Sequence, residues 1–219
     1  MTALLLGSIS TVADTSELQR QAFNQAFETH GLGWRWDQDQ YRAMLSHSGG
    51  QARIAEYAQS LGQTVDAKAI HETKTRIFQD DVAKNGLTPR AGVVASIRGV
   101  KSSGWKVALV TTTSPGNVTA LIDALSPHLT AGDFDVIVDS SSVDQPKPDR
   151  AAYMFALRHL GQAPGACVAV EDNVGGVQSA TAAGVTCVAF PNENTAGDDF
   201  TGAERRVDRL DTAELLAMS

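Results

Sequence analysis

Cysteine is scarce: 219 residues include only two, Cys167 and Cys187. Each lies in an apolar run, Ala166-Cys167-Val168-Ala169-Val170 and Val185-Thr186-Cys187-Val188-Ala189-Phe190. They read as buried free thiols in a reducing compartment, with a single bridge between the two runs as the alternative. A basic excess is also missing, since 18 Lys and Arg stand against 25 Asp and Glu, a net charge of -7. Nucleic-acid and anionic-membrane surfaces need the opposite sign, so neither is an expected partner. The acids are spread along the chain without a tail, which suits solubility. No apolar segment approaches the roughly 20 residues of a membrane span. The short run Ala3-Leu4-Leu5-Leu6 has no basic stretch ahead of it, as a signal peptide would. The expectation is a soluble, cytoplasmic protein. Internal repeats and low-complexity segments are absent.

What is present is an α/β pattern. A hydrophobic fraction of 42% allows one sizeable core, or a core with a small appendage. Short apolar runs at 3–6, 106–111, 135–138, 166–170 and 185–190 alternate with helical stretches beginning near Ala91, Pro115, Ala151 and Val174. That alternation predicts a doubly wound parallel sheet with helices on both faces. The region 16–86 has several helical runs and no strand-like one. Glu17, Arg20 and Asn24 fall on one helix face and Leu18, Ala22, Phe23 and Phe27 on the other. Trp34, Trp36, Tyr41, Met44 and Leu45 continue as a helix-bundle core. Gly86-Leu87-Thr88-Pro89-Arg90-Ala91-Gly92 reads as a return linker, because Pro89 disfavours helix at the residue before it. The expected organisation is an α/β core formed by 1–15 and 87–219 with an all-helical cap at 16–86. In such sheets ligands sit beyond the carboxyl ends of the strands, so the cap would lie over the site as a lid.

Three segments carry candidate chemistry. The run 106–111 leads into Thr111-Thr112-Thr113-Ser114-Pro115-Gly116-Asn117, where hydroxyls and free backbone N–H groups at a helix start suit an anion. Ser114 or Thr113 capping the helix, with Pro115 at its first position, accounts for the same residues. Lys147, held between Pro146 and Pro148, has a restricted backbone that would aim its ammonium; an exposed turn is the alternative. Ala169-Val170-Glu171-Asp172-Asn173-Val174-Gly175-Gly176 places two acids at a strand end before a Gly-rich helix start. That arrangement suits a hard cation such as Mg²⁺, or carboxylates favouring the positive helix end. Of the five histidines, His30, His47, His71, His128 and His159, none shows ligand spacing, and exposed or packing roles are expected for all.

In this order, the three segments resemble the second, third and fourth motifs of the haloacid dehalogenase superfamily. The resemblance implies that Thr111, with Thr112 beside it, and Lys147 bind phosphate, and that Asp172 with Glu171 holds the metal. Tyr153 and the 24-residue interval from Lys147 to Glu171 suit that pattern, whereas Arg150 stands where a second proline is expected. The stretch from Thr11 through Asp14, Glu17 and Leu18 to Asn24 is similar to the start of the cap in the beta-phosphoglucomutase-like and CbbY-like branch. Tyr41-Arg42, Ser48-Gly49-Gly50 and Arg53 resemble its substrate-specificity stretch, so Glu17, Arg42 and Arg53 are implied substrate or cap contacts.

Thr11 sets the register of the first motif, Asp-any-Asp-Gly-Thr, and places its two catalytic aspartates at Gly7 and Ile9. Gly7 has no side chain and Ile9 cannot exchange a proton. Gln19 stands in place of a histidine and Gln51 in place of a lysine. Ser8 and Ser10 lack the elbow that activates a serine nucleophile, and Asp14 reads as ordering the turn into the cap. The resemblance thus implies a scaffold for phosphoryl transfer without its nucleophile and general acid, and with a weakened Mg²⁺ site. The expected function is a catalytically silent protein that binds phosphate, a sugar phosphate or a protein partner. The alternative is a Mg²⁺-dependent sugar-phosphate phosphatase or phosphomutase of weak or atypical activity. Oligomeric state is left open.

Overall fold

The structure, a computed structural model, describes residues 2–7, 9–45 and 49–218. Ser8, His47 and Ser48 lie outside the described residues. Six parallel strands form one sheet: β1 (Ala3–Leu6), β2 (Lys106–Val110), β3 (Val136–Val138), β4 (Cys167–Glu171), β5 (Thr186–Ala189) and β6 (Arg205–Arg206). Their order is β3-β2-β1-β4-β5-β6, so the chain winds outward from β1 in both directions. Every pairing is parallel, which gives the doubly wound sheet that the alternation of apolar runs and helices predicts.

Side chains on β1 alternate between two cores, as a period of two requires. Leu4 and Leu6 join Val107, Leu109, Val168, Val170, Ile97 and Leu121 on one face. Ala3 and Leu5 join Ala108, Val110, Tyr153, Leu157 and Cys187 on the other. All four β1 residues are fully buried, and each Leu contributes roughly 1.5–3 kcal/mol through burial. Both cysteines are buried and free. Burial pushes the Cys167 thiol up to about 11 and that of Cys187 higher still.

The helices are α1 (Ile9–Val12), α2 (Ser16–Thr29), α3 (Gln38–Ala43), α4 (Gly50–Ser60), α5 (Ala67–Asn85), α6 (Val93–Ser102), α7 (Pro115–Leu125), α8 (Ala151–Leu160), α9 (Val174–Ala182) and α10 (Thr212–Leu216). Phe23, Phe27, Trp36, Tyr41, Ile54 and Ile70 form a separate core among α2, α3, α4 and α5. Phe27 meets Trp36 edge-on, with centroids 4.6 Å apart. Asp37 starts α3 with a reciprocal cap, accepting from Gln40 N while the Gln40 side chain bonds back to Asp37 N. Phe78 and Val82 of α5 pack with Ala22 and Ala124, tying this helical layer to α7. No helix among the described residues is long and apolar enough to cross a membrane.

Strand and helix ends differ from expectation by a residue or two. β2 stops at Val110, β3 starts at Val136, β4 runs from Cys167 to Glu171, and β5 spans Thr186–Ala189. The helix expected near Ala91 starts at Val93 because Gly92, at φ 84°, forms the turn before it. A Cβ at Gly92 would overlap the Leu210 carbonyl, so the return linker needs glycine there twice over.

Candidate functional site

β2, β1 and β4 end side by side, and the turns beyond them bring the polar residues together. Gly7 extends β1 and donates its N–H to the Val170 carbonyl at 2.8 Å. Lys147 arrives from the segment after β3. Its Nζ donates to Glu171 Oε1 at 2.5 Å, to the Val110 carbonyl at 2.6 Å and to the Gly7 carbonyl at 3.0 Å. An ammonium has three N–H donors, and these three acceptors match them. The Tyr153 hydroxyl donates to the same Glu171 oxygen at 2.6 Å. Burial pushes the Glu171 carboxyl up against the opposing pull of Lys147, and burial followed by the Glu171 charge pushes the Tyr153 phenol well up.

Two glycines make room for this carboxyl. A Cβ at Gly7 or at Gly176, in the first turn of α9, would overlap the Glu171 carboxyl carbon and both its oxygens. Glu171 therefore fills the space that a side chain at position 7 would require. Ile9 is 6% exposed; it joins the core below β1 while also lining the cleft above.

Asp172 is held by neutral donors. Its Oδ1 accepts from Thr11 Oγ1 at 3.1 Å and Asn173 Nδ2 at 3.2 Å, and its Oδ2 from Asn192 Nδ2 at 2.8 Å. Thr195 Oγ1 donates to the Asp172 carbonyl at 2.6 Å. Asn192 and Thr195 were not among the expected site residues. Their signal is the polar run Pro191-Asn192-Glu193-Asn194-Thr195 directly after a strand. Arg90, read only as linker, donates to the carbonyls of Ser10 at 3.1 Å and Phe190 at 2.8 Å, joining the first turn to that same run.

Thr111 is buried at the end of β2, and its Oγ1 accepts from Thr113 N at 3.2 Å. Ser114 caps α7, accepting from Asn117 N at 3.4 Å. Asp14 orders its turn as expected, with Oδ1 accepting from Ser16 N at 3.0 Å and Ser16 Oγ at 2.6 Å.

Thr111, Thr112, Lys147 and Asp172 line one cavity of about 980 Å³ that also reaches Gln19, Phe23, Tyr41, Arg53, His71 and Lys74 of the helical layer. Arg53 lies 5.5 Å from the Tyr41 ring centroid and donates to the Met44 carbonyl at 2.9 Å. The other two expected substrate contacts stand outside this lining. Glu17 pairs with Arg20 on its own helix, and Arg42 reaches Asn194 Oδ1 at 3.3 Å and the Glu193 carbonyl at 3.2 Å. Their guanidinium and carboxylate groups are thus turned to structural partners. His71 packs against Phe23, with ring centroids 6.5 Å apart, and also lines the cavity. Burial, then Lys74 and Arg53, lower its pKa.

Magnesium has a poor donor set here. Gly7 brings no carboxylate, Glu171 is engaged by Lys147 and Tyr153, and Asp172 by Thr11, Asn173 and Asn192. Among the described residues no group of three or more His, Cys, Asp or Glu side chains could hold a metal ion. Phosphatases of the superfamily typically use Mg²⁺, but the residues present at this site do not fit it.

A sheet of this order with its polar turns at the strand ends, together with a match to the model of haloacid dehalogenase-like hydrolases over residues 10–190, places the chain in that family. Within it, the chain is 39% identical to Protein CbbY of Rhodobacter capsulatus, covering 99% of this chain and 96% of that one. It is 36% identical to Protein CbbY of Cereibacter sphaeroides, covering 94% and 91%. The crystal structure of CbbY from Rhodobacter sphaeroides in complex with phosphate superposes with a TM-score of 0.88 at 36% identity, covering 100% and 99%. A mutant of that protein in complex with xylulose-(1,5)bisphosphate gives 0.87 at 35% identity, covering 95% of each chain.

Proposed function

We propose that this protein is a catalytically silent member of its family that binds a phosphorylated sugar in the cavity between the sheet and the helical layer, with residues 16–86 acting as cap. The observation that carries this reading is the occupant of the space at position 7. Where the family register calls for a nucleophilic carboxylate, the chain has a glycine, and the Glu171 carboxyl fills the space. Neither Gly7 nor Ile9 can attack phosphorus or protonate a leaving oxygen. Losing about 7 kcal/mol of transition-state stabilisation alone lowers a rate roughly 10⁵-fold.

Binding is a separate matter from turnover. The helical side of the cavity carries Arg53 and Lys74, which draw an anion toward it. Thr111, Thr112 and the start of α7 offer hydroxyl and backbone donors. Glu171 neutralises the Lys147 charge, and the three Lys147 donors are matched within the protein, so the strand ends hold the anion with these neutral donors. The phosphate and xylulose-(1,5)bisphosphate complexes of CbbY make a sugar phosphate the ligand class to test first.

Calorimetry with inorganic phosphate and with a pentose phosphate, with Mg²⁺ and with chelator, tests this. Binding of equal affinity under both conditions, with no phosphate released, is expected. Release at roughly 1 s⁻¹ or faster, an ordinary enzymatic rate, overturns the silent reading. No binding at millimolar ligand overturns the binding reading.

A further inference from the structure

The helical wall of the cavity holds an amine in an unusual setting. Lys74 lies on α5 and is 5% exposed. Its Nζ donates to Gln19 Oε1 and stands 4.9 Å and 5.2 Å from the ring centroids of Phe23 and Phe78. Among the described residues, no Asp or Glu lies within ion-pair distance of it. The groups around it on this wall are Arg53, His71 and Gln19, with Glu56 also on the cavity lining. A neutral amide holds a lysine nitrogen in place without fixing the proton on it, as a carboxylate would. Burial, and then the charge of Arg53, lower Lys74 to about 7. At pH 7 about half of this lysine is free amine, against roughly one part in 3,000 for an ordinary lysine.

We propose that Lys74 captures the carbonyl of the cavity's ligand, forming an imine with the open-chain aldehyde or ketone of a sugar phosphate. This rests on the reading that the cavity takes a phosphorylated sugar, and extends it to the ligand's carbonyl group. The amine lone pair attacks the carbonyl carbon, a C–N bond forms, and the carbonyl π pair moves to oxygen, which takes up a proton. The nitrogen lone pair then expels that oxygen as water, carrying away both amine hydrogens, and leaves C=N. No oxidant or reductant is consumed. Phe23 and Phe78 keep bulk water from the nitrogen, which favours the dehydrated product. His71, whose pKa is lowered by burial and by the Lys74 charge, is a group on this wall that can accept and return the proton.

Glyceraldehyde 3-phosphate serves as the probe, incubated with the full chain at pH 7 and trapped with sodium cyanoborohydride, the adducts being located by peptide mass spectrometry. The chain has six lysines, so each site can be read separately. Labelling of Lys74 at least 10-fold above Lys68, Lys84, Lys101 and Lys106, suppressed by excess inorganic phosphate and absent in Lys74→Arg, is expected. Labelling confined to the exposed lysines and the amino terminus overturns the proposal. Phosphate binding is measured on the same sample by ³¹P NMR. Binding without a Lys74 adduct removes the imine alone, whereas neither signal removes the phosphorylated-ligand reading as well.

Discussion

Placing a carboxylate at position 7 tests whether Glu171 occupies its space. In Gly7→Asp the new Cβ overlaps the Glu171 carboxyl, so Glu171 must swing off Lys147. Breaking a buried ion pair costs about 3–5 kcal/mol. The introduced carboxylate recovers part of that from Lys147, leaving a net loss of about 2–4 kcal/mol. For a chain of this size each kcal/mol shifts Tm by about 2–4 °C, so a fall of roughly 5–15 °C is expected in chelator. The same substitution brings three carboxylates to one point, with the displaced Glu171 and Asp172 as the other two. Mg²⁺ should then stabilise the variant, by about 2.7 kcal/mol at 100 times its Kd. Calorimetric or fluorescence melting of parent and variant, in chelator and in Mg²⁺, reads both effects. A variant that melts within about 1 °C of the parent, or a parent with the larger Mg²⁺ shift, refutes the reasoning.

Three further outcomes follow from the same groups. Lys147→Ala leaves the Glu171 charge buried without its partner and should cost about 3–5 kcal/mol in urea unfolding, while Lys147→Met with Glu171→Gln should lose clearly less than the two single changes summed. Lys74→Met should be more stable than the parent at pH 6, with the gap shrinking toward pH 10. The folded pKa of about 7 lies below the ordinary 10.5, so the unfolded chain binds more protons across that window and parent stability rises with pH; a pH-independent gap would contradict it. Gly7→Asp combined with Ile9→Asp is the least change that could return turnover; either one alone should show none against a sugar phosphate, because attack and leaving-group protonation act as a unit.

Much of the fold was legible because buried parallel strands leave continuous apolar runs, and four of the five runs at 3–6, 106–111, 166–170 and 185–190 sit at the centre of the sheet or next to it. β6 was not, since Arg205 and Arg206 are two exposed residues with no apolar signature. α1 was missed because Ile-Ser-Thr-Val is poor in helix propensity, and its single turn is set by the packing of Ile9 and Val12. Of the site, Lys147, Glu171 and Asp172 were singled out in advance by their resemblance to the family's motifs. What motif spacing could not show is that Lys147 has its three donors matched by Glu171 and two backbone carbonyls, which depends on the Gly7 and Val110 backbone in three dimensions. Lys74 was readable in principle. It sits in the row Ile70, Lys74, Phe78, Val82, where successive members four apart form the buried face of α5, and a cation in such a row is an anomaly.

The electrostatics of the two walls follow from these placements. Glu171 neutralises Lys147 inside the protein, so the floor of the cavity presents Asp172 together with hydroxyl and amide groups. The side opposite brings Arg53 and the partly protonated Lys74. An anionic ligand is therefore drawn by charge toward the helical wall and oriented by neutral donors at the strand ends. A phosphatase needs its strongest charges at the strand ends, where the phosphoryl group is transferred. Under the proposed reading, the glycine at position 7 leaves the balance with the helical wall, which favours holding a ligand over reacting with it.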